Sequence, residues 1–356
     1  MNLDNTFLRW LLFPLSLLFG LVVAIKNILY KRGVLTGVRF NIPIISVGNL
    51  TVGGAGKTPQ VEYLVRLLRD YLRTAVMSRG FGRSTIGFLL VRPEHQSDEA
   101  GDESLLFARK YRNVTVAVSE SRSLGIPLLL QHRPELQVIF LDDAYQHRSV
   151  SPHLNILLTE YDHPFYTDWL MPSGSLREWR SGYHRADIII VTKCLLTLSE
   201  DMRLTILKRL RPLPHQTVYF SAYRYHHPYS MYTPGARIEL SEKYSVLLVC
   251  GIAKPDYLFE YVYGRCGHVD LMQFGDHHIY QNEDLDIITS RFHYLPGDYK
   301  MILTTEKDAV RLESFGPLIT SRNLPIYLLP LEVVFLFQEG VRFDNHIRRF
   351  LLEFKV

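Results

Sequence analysis

The sequence predicts an α/β fold with a mostly parallel sheet, a second, smaller α/β domain and an N-terminal apolar membrane helix. Short apolar runs alternate with helical patterns over residues 42–192, and this alternation is typical of a parallel sheet covered by helices on both faces. The 356 residues also exceed the ~250 to 300 at which a single hydrophobic core stops growing. Further strand-like runs follow at residues 245–250, 269–274, 301–304 and 326–329.

These patterns divide the chain into four segments. We expect residues 1–40 to form a membrane-associated helix with a basic flank, and residues 41–217 to form the domain with the larger sheet. Residues 218–240 are rich in Tyr, His and Pro and lack helical periodicity, so they are expected to be an extended connector. Residues 241–356 then form the C-terminal α/β domain.

The composition excludes several classes of protein. With 47% hydrophobic and 21% charged residues, the chain is typical of folded globular proteins rather than disordered ones. A formal net charge of +4 is too small to indicate nucleic-acid binding, although it fits an anionic membrane surface. Cys194, Cys250 and Cys266 are widely spaced and indicate neither a disulfide framework nor a zinc site. We therefore expect the globular part to lie in a reducing compartment.

The N-terminus carries an uncharged, strongly apolar run, WLLFPLSLLFGLVVAI, at residues 10–25. A helix that crosses a bilayer needs about 20 residues, and Pro14 and Gly20 weaken an ideal helix, so the run either spans the membrane or lies in one leaflet. A buried core helix is one alternative, because short apolar runs often have that role. A cleaved signal peptide is another, but neither a basic region before the run nor a small-residue cleavage site is clear.

The charges around this run predict its orientation. Basic residues exceed acidic ones after the run, and such an excess marks the cytoplasmic side of a membrane helix. We therefore expect the protein at the inner (cytoplasmic) membrane, with its globular domains in the cytoplasm. The charged residues after the run are Lys26, Lys31, Arg32 and Arg39, whereas only Asp4 and Arg9 precede it.

A glycine-rich run joins the first predicted strand to a helix. Residues 42–47 are apolar and β-branched, TVGGAGKT follows at residues 51–58, and apolar residues then recur at helical spacing from Val61 to Leu72. This is the context of a P-loop, in which backbone N–H groups and a helix N-terminus cradle phosphates, so the larger domain is predicted to be P-loop NTPase-like. The expected nucleotide-binding residues are Thr51, where the general motif has its first glycine, and Val52, Gly53, Gly54, Ala55, Gly56, Lys57 and Thr58.

Specific roles within the P-loop follow from its chemistry. We expect Lys57 to reach the β- and γ-phosphates of ATP and the Thr58 hydroxyl to bind Mg²⁺. A carboxylate on the metal side should come from the end of a neighbouring strand. Asp142 and Asp143 follow the apolar run 138–141 and can supply it, although one of them could instead cap the following turn.

Two further polar clusters fall where predicted elements begin or end. Residues 79–83, Arg-Gly-Phe-Gly-Arg, follow a short strand and form either a phosphate-binding or headgroup-binding loop or a solvated one. Asp102 stands at the start of a helical stretch, where an N-cap is the simplest role.

Nine sequence segments, taken in order, resemble one family. This set is similar to the tetraacyldisaccharide 4′-kinases of lipid A biosynthesis, whose P-loop also lacks the first glycine. The resemblance extends over both predicted domains. The segments are SVGNLTVGGAGKTP (46–59), SRGFGR (78–83), GDE (101–103), LDDAYQHR (141–148), MPSGSLRE (171–178), VTK (191–193), CGIAKP (250–255), FGDHH (274–278) and TTEKDAVR (304–311).

The resemblance implies a reaction. The family transfers the γ-phosphoryl group of ATP to the 4′-hydroxyl of a tetraacylated disaccharide 1-phosphate, which gives lipid IVA. Acyl chains hold this acceptor in a membrane, and the N-terminal apolar run would keep the catalytic domains at the bilayer. The expected cofactors are ATP and Mg²⁺, the expected partners are the lipid precursor and the bilayer, and neither nucleic acid nor an obligate protein partner is expected.

The resemblance also implies site residues. Asp102 matches the family's proposed base, and His277 matches its partner from the second domain, with Lys57 as a third catalytic residue. His278 stays an alternative to His277, because neighbouring loop residues cannot be ranked from sequence. The expected metal ligands are Thr58, Asp142, Asp143 and Glu178. The residues expected to contact substrate or support the site are Glu103, Arg122, Gln146, Arg177 and Asp276.

Two other functions fit parts of the sequence. A membrane-recruited P-loop ATPase switch also uses a GG-x-GKT loop, but such loops carry a lysine at the position of Thr51. A GTP-binding protein is suggested by Val-Thr-Lys at residues 191–193, yet the aspartate that reads guanine would fall at Leu195. The sequence therefore favours ATP and a kinase.

Overall fold

The computed structural model describes residues 6–233 and 235–355. The strands in this part of the chain are β1 (Ile44–Asn49), β2 (Thr74–Ser78), β3 (Leu89–Val91), β4 (Thr115–Val118), β5 (Val138–Asp142), β6 (Leu154–Glu160), β7 (Ile188–Thr192), β8 (Thr217–Tyr225), β9 (Tyr229–Ser230), β10 (Ser245–Cys250), β11 (His268–Gln273), β12 (Lys300–Thr305), β13 (Ile326–Leu329) and β14 (Leu331–Phe335). The α-helices are α1 (Thr6–Lys31), α2 (Lys57–Leu68), α3 (Ser97–Ala100), α4 (Asp102–Lys110), α5 (Arg122–His132), α6 (Glu200–Leu210), α7 (Asp256–Tyr263), α8 (Asn282–Tyr294), α9 (Glu306–Leu312), α10 (Gly316–Ser321) and α11 (Gly340–Glu353).

The larger sheet, whose strands define the P-loop domain, has the order β14-β8-β7-β6-β1-β5-β2-β4-β3. Its strands run parallel from β8 to β4, and β14 and β3 pair antiparallel at the edges. All residues of β1 are buried, as expected for an apolar strand covered on both faces. Because β1 lies between β5 and β6, the loop that follows it leaves the sheet next to the end of β5.

The smaller sheet, whose strands define the second domain, has the order β11-β10-β12-β13-β9. Strands β10 to β13 correspond to the four apolar runs in the second half of the sequence and pair in parallel. Strand β9 adds an antiparallel edge. Leu247, Val249 and Ile302 are fully buried in a core of this domain's own.

The segment 218–240 differs from the expected connector. Strand β8 covers its first part and pairs parallel with β7 in the larger sheet. Tyr219, Phe220 and Ala222 are buried in this strand. The absence of helical periodicity is consistent with a strand as well as with a connector, and aromatic residues are frequent in strands. The chain therefore leaves the P-loop domain after β8 rather than at residue 217.

The end of the chain also differs from the expected division. Strand β14 pairs antiparallel with β8, and Phe343 and Ile347 of α11 are fully buried in the core of the P-loop domain. The sequence does not reveal this return, because it depends on contacts with residues far away along the chain. Residues 331–353 thus complete the first domain rather than the second.

Helix α1 is longer than the apolar run that predicted it. Residues 7–31 have a mean hydropathy of 2.1 over their most apolar stretch, and 11% of that stretch is buried. The helix is therefore long and apolar enough to cross a membrane, by length and composition. Its low burial does not fit the alternative of a core helix of a soluble domain.

One face of α1 nevertheless contacts the P-loop domain. Ser16 Oγ lies 2.8 Å from Ser173 Oγ, and Trp179 Nε1 donates to the Gly20 carbonyl at 2.8 Å. A Cβ atom at Gly20 would lie 2.7 Å from the Trp179 ring, so the close approach requires glycine. The helix is thus docked on the loop formed by residues 168–181.

Replacing Phe343 with alanine should destabilise the P-loop domain by about 3 to 5 kcal/mol, because it opens a cavity in the core. Phe343 is fully buried and stacks on Phe335 with ring centroids 4.3 Å apart. Val341→Ala is the matched control, since Val341 lies on the same helix but is 70% exposed. The free energy of unfolding is measured by urea titration. Equal effects of both changes would contradict the assignment of α11 to this core.

Candidate active site

The P-loop lies between β1 and α2 and depends on two glycines with left-handed backbone. Gly53 has a φ of 105° and Gly56 a φ of 82°, conformations that other residues adopt only under strain. A Cβ atom at Gly56 would also collide with the hydroxyl of half-buried Tyr223. Thr192 Oγ1 donates to the Ala55 carbonyl at 2.9 Å, which fixes the loop to the end of β7. The glycine-rich run thus forms a rigid turn into a helix N-terminus.

Lys57 folds back over this loop. Its Nζ lies 3.3 Å from both Asn49 Oδ1 and the Gly53 carbonyl, and 3.7 Å from Asp143 Oδ2. Thr58, the next residue, is half-buried in the first turn of α2. The ammonium is therefore held by groups that a phosphate can replace.

The outer part of the P-loop pairs with the loop 168–181. Thr51 forms a β-bridge with Leu176, and Val52 N–H donates to the Ser175 carbonyl at 2.8 Å. A Cβ atom added at Gly54 would lie 3.6 Å from the Ala253 side chain in the second domain. All eight residues predicted to bind nucleotide lie together in this one turn.

Asp142 and Asp143, at the end of β5, lie in opposite electrostatic environments. Burial, together with the nearby carboxylates of Glu103 and Asp143, raises the pKa of Asp142 to about 7. Burial acts in the same direction on Asp143, but the charges of Lys57 and Arg177 outweigh it and lower the pKa of that carboxyl to about 2. Asp143 is already paired, whereas Asp142 is the carboxylate that still needs a positive charge.

The Asp142 side chain fits a magnesium ligand. Both of its carboxylate oxygens are buried and lack a hydrogen-bond partner among the described residues, and such groups are costly unless a cation or water satisfies them. Magnesium binds to one or two carboxylates and completes its shell with water and phosphate oxygens. Asp142, with the hydroxyl of Thr58 in the first turn of α2, offers this donor set.

Glu178, a predicted metal ligand, contacts protein groups with both of its carboxylate oxygens. Its two oxygens lie 2.8 and 2.9 Å from the Arg185 guanidinium, and Oε1 also accepts from Gln146 Nε2 at 3.0 Å. Asn27 of α1 donates to Oε2 at 3.4 Å. Arg185 stands seven positions further along the chain, and a short 3₁₀ turn brings it back to the carboxylate. Glu178 therefore holds Gln146 and α1 in place, and a protein cation, Arg185, neutralises its charge.

Two arginines hold the acidic end of β5 in place. Arg122 is fully buried, and its Nη2 donates to the backbone carbonyl of Asp142 at 3.1 Å. Burial lowers the pKa of Arg122 to about 10. Arg177 Nη2 lies 2.8 Å from Asp143 Oδ1 and 3.0 Å from the Asn49 carbonyl. Both guanidinium groups thus position the Asp142–Asp143 turn.

Asp102 is the first residue of α4, and Gly101, with a φ of 81°, occupies the N-cap. The simple capping role is therefore wrong, since the side chain makes tertiary contacts instead. Its Oδ1 accepts from Ser97 Oγ at 2.7 Å, and its Oδ2 lies 3.2 Å from His277 Nδ1 and 3.3 Å from Arg311 Nε. Burial opposes ionisation, but the His277 hydrogen bond and the Arg311 charge prevail and lower the pKa of Asp102.

The two neighbouring histidines point to different partners. His277, with a φ of 59°, contacts Asp102 and packs on Phe81 with ring centroids 4.7 Å apart. His278 instead lies 2.8 Å from Asp284 and stacks on Phe274. Geometry therefore selects His277 as the imidazole at Asp102, and this contact joins the P-loop domain to the second domain.

Two basic residues at this contact are not among the site residues that the sequence predicts. Lys307 Nζ lies 3.2 Å from Glu103 Oε1, 3.5 Å from Asp276 Oδ1 and 3.3 Å from His277 Nε2. Arg311, four residues later on α9, pairs with Asp102. Both belong to TTEKDAVR, and their spacing of four places them on one helix face, which was the available signal.

An apolar cavity of about 470 Å³ lies between α1 and the loop 168–181. Its polar lining includes Asp168 and Arg180. It lies beside the exposed part of α1. The apolar residues that line it are Phe13, Leu17, Trp169, Leu170, Leu176 and Trp179.

The fold and this site define a P-loop phosphotransferase. The family model of tetraacyldisaccharide-1-P 4′-kinase (LpxK) matches residues 8–351, and the chain belongs to this family. The tetraacyldisaccharide 4′-kinase of Bacteroides thetaiotaomicron is 40% identical, with 97% of this chain and 93% of the relative covered. That of Flavobacterium johnsoniae is also 40% identical, with 97% and 98% covered.

A solved structure has the same fold. The crystal structure of LpxK from Aquifex aeolicus in complex with ATP matches with a TM-score of 0.72 and 28% identity, and the match covers 97% of this chain and 99% of that one. The predicted fold class and the resemblance stated from the nine segments are both confirmed.

In metal-free protein, Asp142→Asn should raise stability at pH 8. A carboxyl whose pKa is raised to about 7 in the folded state, from about 4 when unfolded, contributes stability that is lost as the pH rises between these values. The asparagine amide does not ionise, so the variant keeps this stability at pH 8. Thermal unfolding is measured from pH 4 to pH 8 in a chelator, and a variant less stable than wild type at pH 8 would contradict the prediction.

Asp143→Asn is the control with the opposite sign. The pKa of Asp143 is lowered to about 2, so its carboxylate stabilises the fold at neutral pH. This variant should therefore be less stable than wild type at pH 8.

Proposed function

We propose that this chain transfers the γ-phosphoryl group of ATP to the 4′-hydroxyl of a tetraacyldisaccharide 1-phosphate and so forms lipid IVA. One observation carries the proposal beyond the family match. The buried Asp102 carboxylate is followed in the chain by Glu103, whose charge is close enough to raise the pKa of Asp142 beside the P-loop. A base and a phosphate-binding loop are therefore neighbours, as transfer to a hydroxyl requires.

The P-loop residues bind and align the nucleotide. Lys57 exchanges its contacts with Asn49, Gly53 and Asp143 for phosphate oxygens, and the N–H groups of residues 53–58 surround the same phosphates. The helix dipole of α2 adds a partial positive charge. Thr58 and Asp142 would hold Mg²⁺, and the charges of Asp143 and Glu103 act on the Asp142 carboxyl. When bound, the metal neutralises charge on the phosphates.

Asp102 takes the proton of the attacking 4′-hydroxyl. The sugar oxygen forms a bond to the γ-phosphorus while the bond from that phosphorus to the β,γ-bridging oxygen breaks, and ADP leaves. His277 orients the carboxylate through its Nδ1 contact at 3.2 Å. Because Asp102 and His277 belong to different domains, the site is complete when the domains are together.

The membrane end of the protein fits an acyl-chain substrate. Helix α1 exposes most of its apolar surface, and four basic residues at and after its end favour the cytoplasmic side for the catalytic domains. The cavity beside α1 offers apolar space of about 470 Å³ next to that surface. An acceptor held in the bilayer by its acyl chains would reach the protein from this side.

Purified protein incubated with ATP, Mg²⁺ and tetraacyldisaccharide 1-phosphate should convert the lipid to a product heavier by one phosphoryl group. Mass analysis of the lipid and a parallel measurement of ADP provide the readout. Lys57→Ala should abolish the product, because the phosphates lose their lysine. ADP formation without a new lipid phosphate would reject the proposal in favour of a membrane-recruited ATPase switch.

Asp102→Ala should lower kcat by about 10²- to 10⁴-fold, the range for loss of a general base, with a smaller effect on the KM for ATP. His277→Ala should also be slow. The double variant should be little slower than Asp102→Ala, since the two side chains act as a unit. Asp284→Ala, which removes the partner of His278 instead, is the control. Full additivity of the two effects would argue against a functional pair.

A further inference from the structure

Lys307 lies at the centre of a group of charged and ionisable side chains. Its ammonium contacts the Glu103 and Asp276 carboxylates and lies 3.3 Å from His277 Nε2. The Lys307 side chain is 18% exposed. Burial opposes its charge, but the two carboxylates raise the pKa of Lys307 above its usual value, so the group stays an ammonium.

An ammonium can only donate hydrogen bonds, and this fixes the role of the facing nitrogen. His277 Nε2 must present its lone pair to Lys307, so the ring proton of the neutral imidazole resides on Nδ1. Nδ1–H then donates to Asp102 Oδ2, which lies 3.2 Å away. The Asp276 carboxylate could stabilise the other tautomer only by accepting a hydrogen bond from Nε2–H. It lies 3.8 Å from Nε2, which is too far for a hydrogen bond, and it contacts Lys307 instead.

We propose that Lys307 is a positioning residue that holds His277 in the Nδ1–H tautomer, so that the imidazole donates to Asp102 and keeps its carboxylate ionised and oriented. The inference rests on the proposed role of Asp102 as the base. Lys307 contacts the imidazole rather than the reacting groups and acts through His277.

A consequence concerns the proton taken from the sugar. In this tautomer the nitrogen that faces Asp102, Nδ1, already carries a hydrogen and has no lone pair with which to accept a proton from the carboxyl group. The proton of the 4′-hydroxyl therefore remains on Asp102 during transfer, and His277 orients this carboxylate without carrying the proton onward.

Lys307→Met removes the donor while it keeps an unbranched side chain of similar length. The variant should lower kcat by about tenfold to a hundredfold, the value of one hydrogen bond that involves a charged group, and change the KM for ATP by less than about threefold. Lys307→Arg retains a cationic donor and should recover part of the lost kcat. Failure of arginine to restore any activity would count against the tautomer role.

Lys110→Met is the matched control. Lys110 also joins α4 to α9, through Glu306, and it contacts Glu62 but lies at the other end of α4. Loss of this ion pair should weaken the domain contact without a comparable loss of kcat. If both lysine variants lose kcat equally, Lys307 has only a structural role and the proposal fails.

The tautomer itself can be measured without turnover. In protein labelled with ¹⁵N-histidine, the His277 signals are assigned by their loss in His277→Gln and should show a protonated Nδ1 and an unprotonated Nε2. Lys307→Met should shift the proton toward Nε2. An Nε2–H tautomer in the wild type would overturn the proposal. Because this readout needs no lipid, it can stand even if the lipid kinase assay fails, so the two failures are distinguishable.

Discussion

The ion pairs between α4 and α9 are the contact on which the candidate site depends. Asp102 pairs with Arg311 and Glu103 with Lys307, while Lys110 at the far end of α4 pairs with Glu306. The Asp102 and Arg311 side chains are only 8% and 4% exposed. Removal of one partner from a buried pair costs about 3 to 5 kcal/mol, because it leaves an unpaired charge. The same contact therefore orients Asp102, the proposed base, and holds the second domain against the P-loop domain.

A second constraint is the unequal ionisation of the two aspartates at the end of β5. Asp143 is neutralised by Lys57 and Arg177, whereas Asp142 is buried beside two other carboxylates. Cationic side chains of the protein thus neutralise Asp143, whereas the Asp142 carboxylate needs a cation from outside the protein. This difference explains why a metal ion suits Asp142, and it also gives Lys57 a resting partner that a phosphate can displace.

The sequence predicted the parts of the site that depend on local structure. The order of strand, glycine-rich loop and helix follows from short-range patterns, and the acids after β5 lie beside the loop because neighbouring parallel strands end at one edge of a sheet. The contact between Asp102 and His277 came from the resemblance alone. It spans 175 positions, and nothing in the periodicity of either segment indicates it.

The features that the sequence does not show have a common physical cause. The sequence marks Glu178 as a candidate metal ligand and does not show that Arg185 reaches this carboxylate through a 3₁₀ turn. The second domain was extended to residue 356 because β14 and α11 return to the first sheet through tertiary packing. The sequence shows a charged residue or an apolar helix face, but it does not show which distant residue pairs with that charge or which core buries that face.

The loop 168–181 connects helix α1 to the P-loop. On one side, Ser173 and Trp179 dock α1. On the other side, Ser175 accepts from the P-loop residue Val52, and Arg177 pairs with Asp143. A displacement of α1 relative to the domain would therefore disturb the contacts that hold the P-loop and its acidic neighbour. Under the proposed function the acceptor is held in a bilayer, and this connection would then set the position of the P-loop relative to that bilayer.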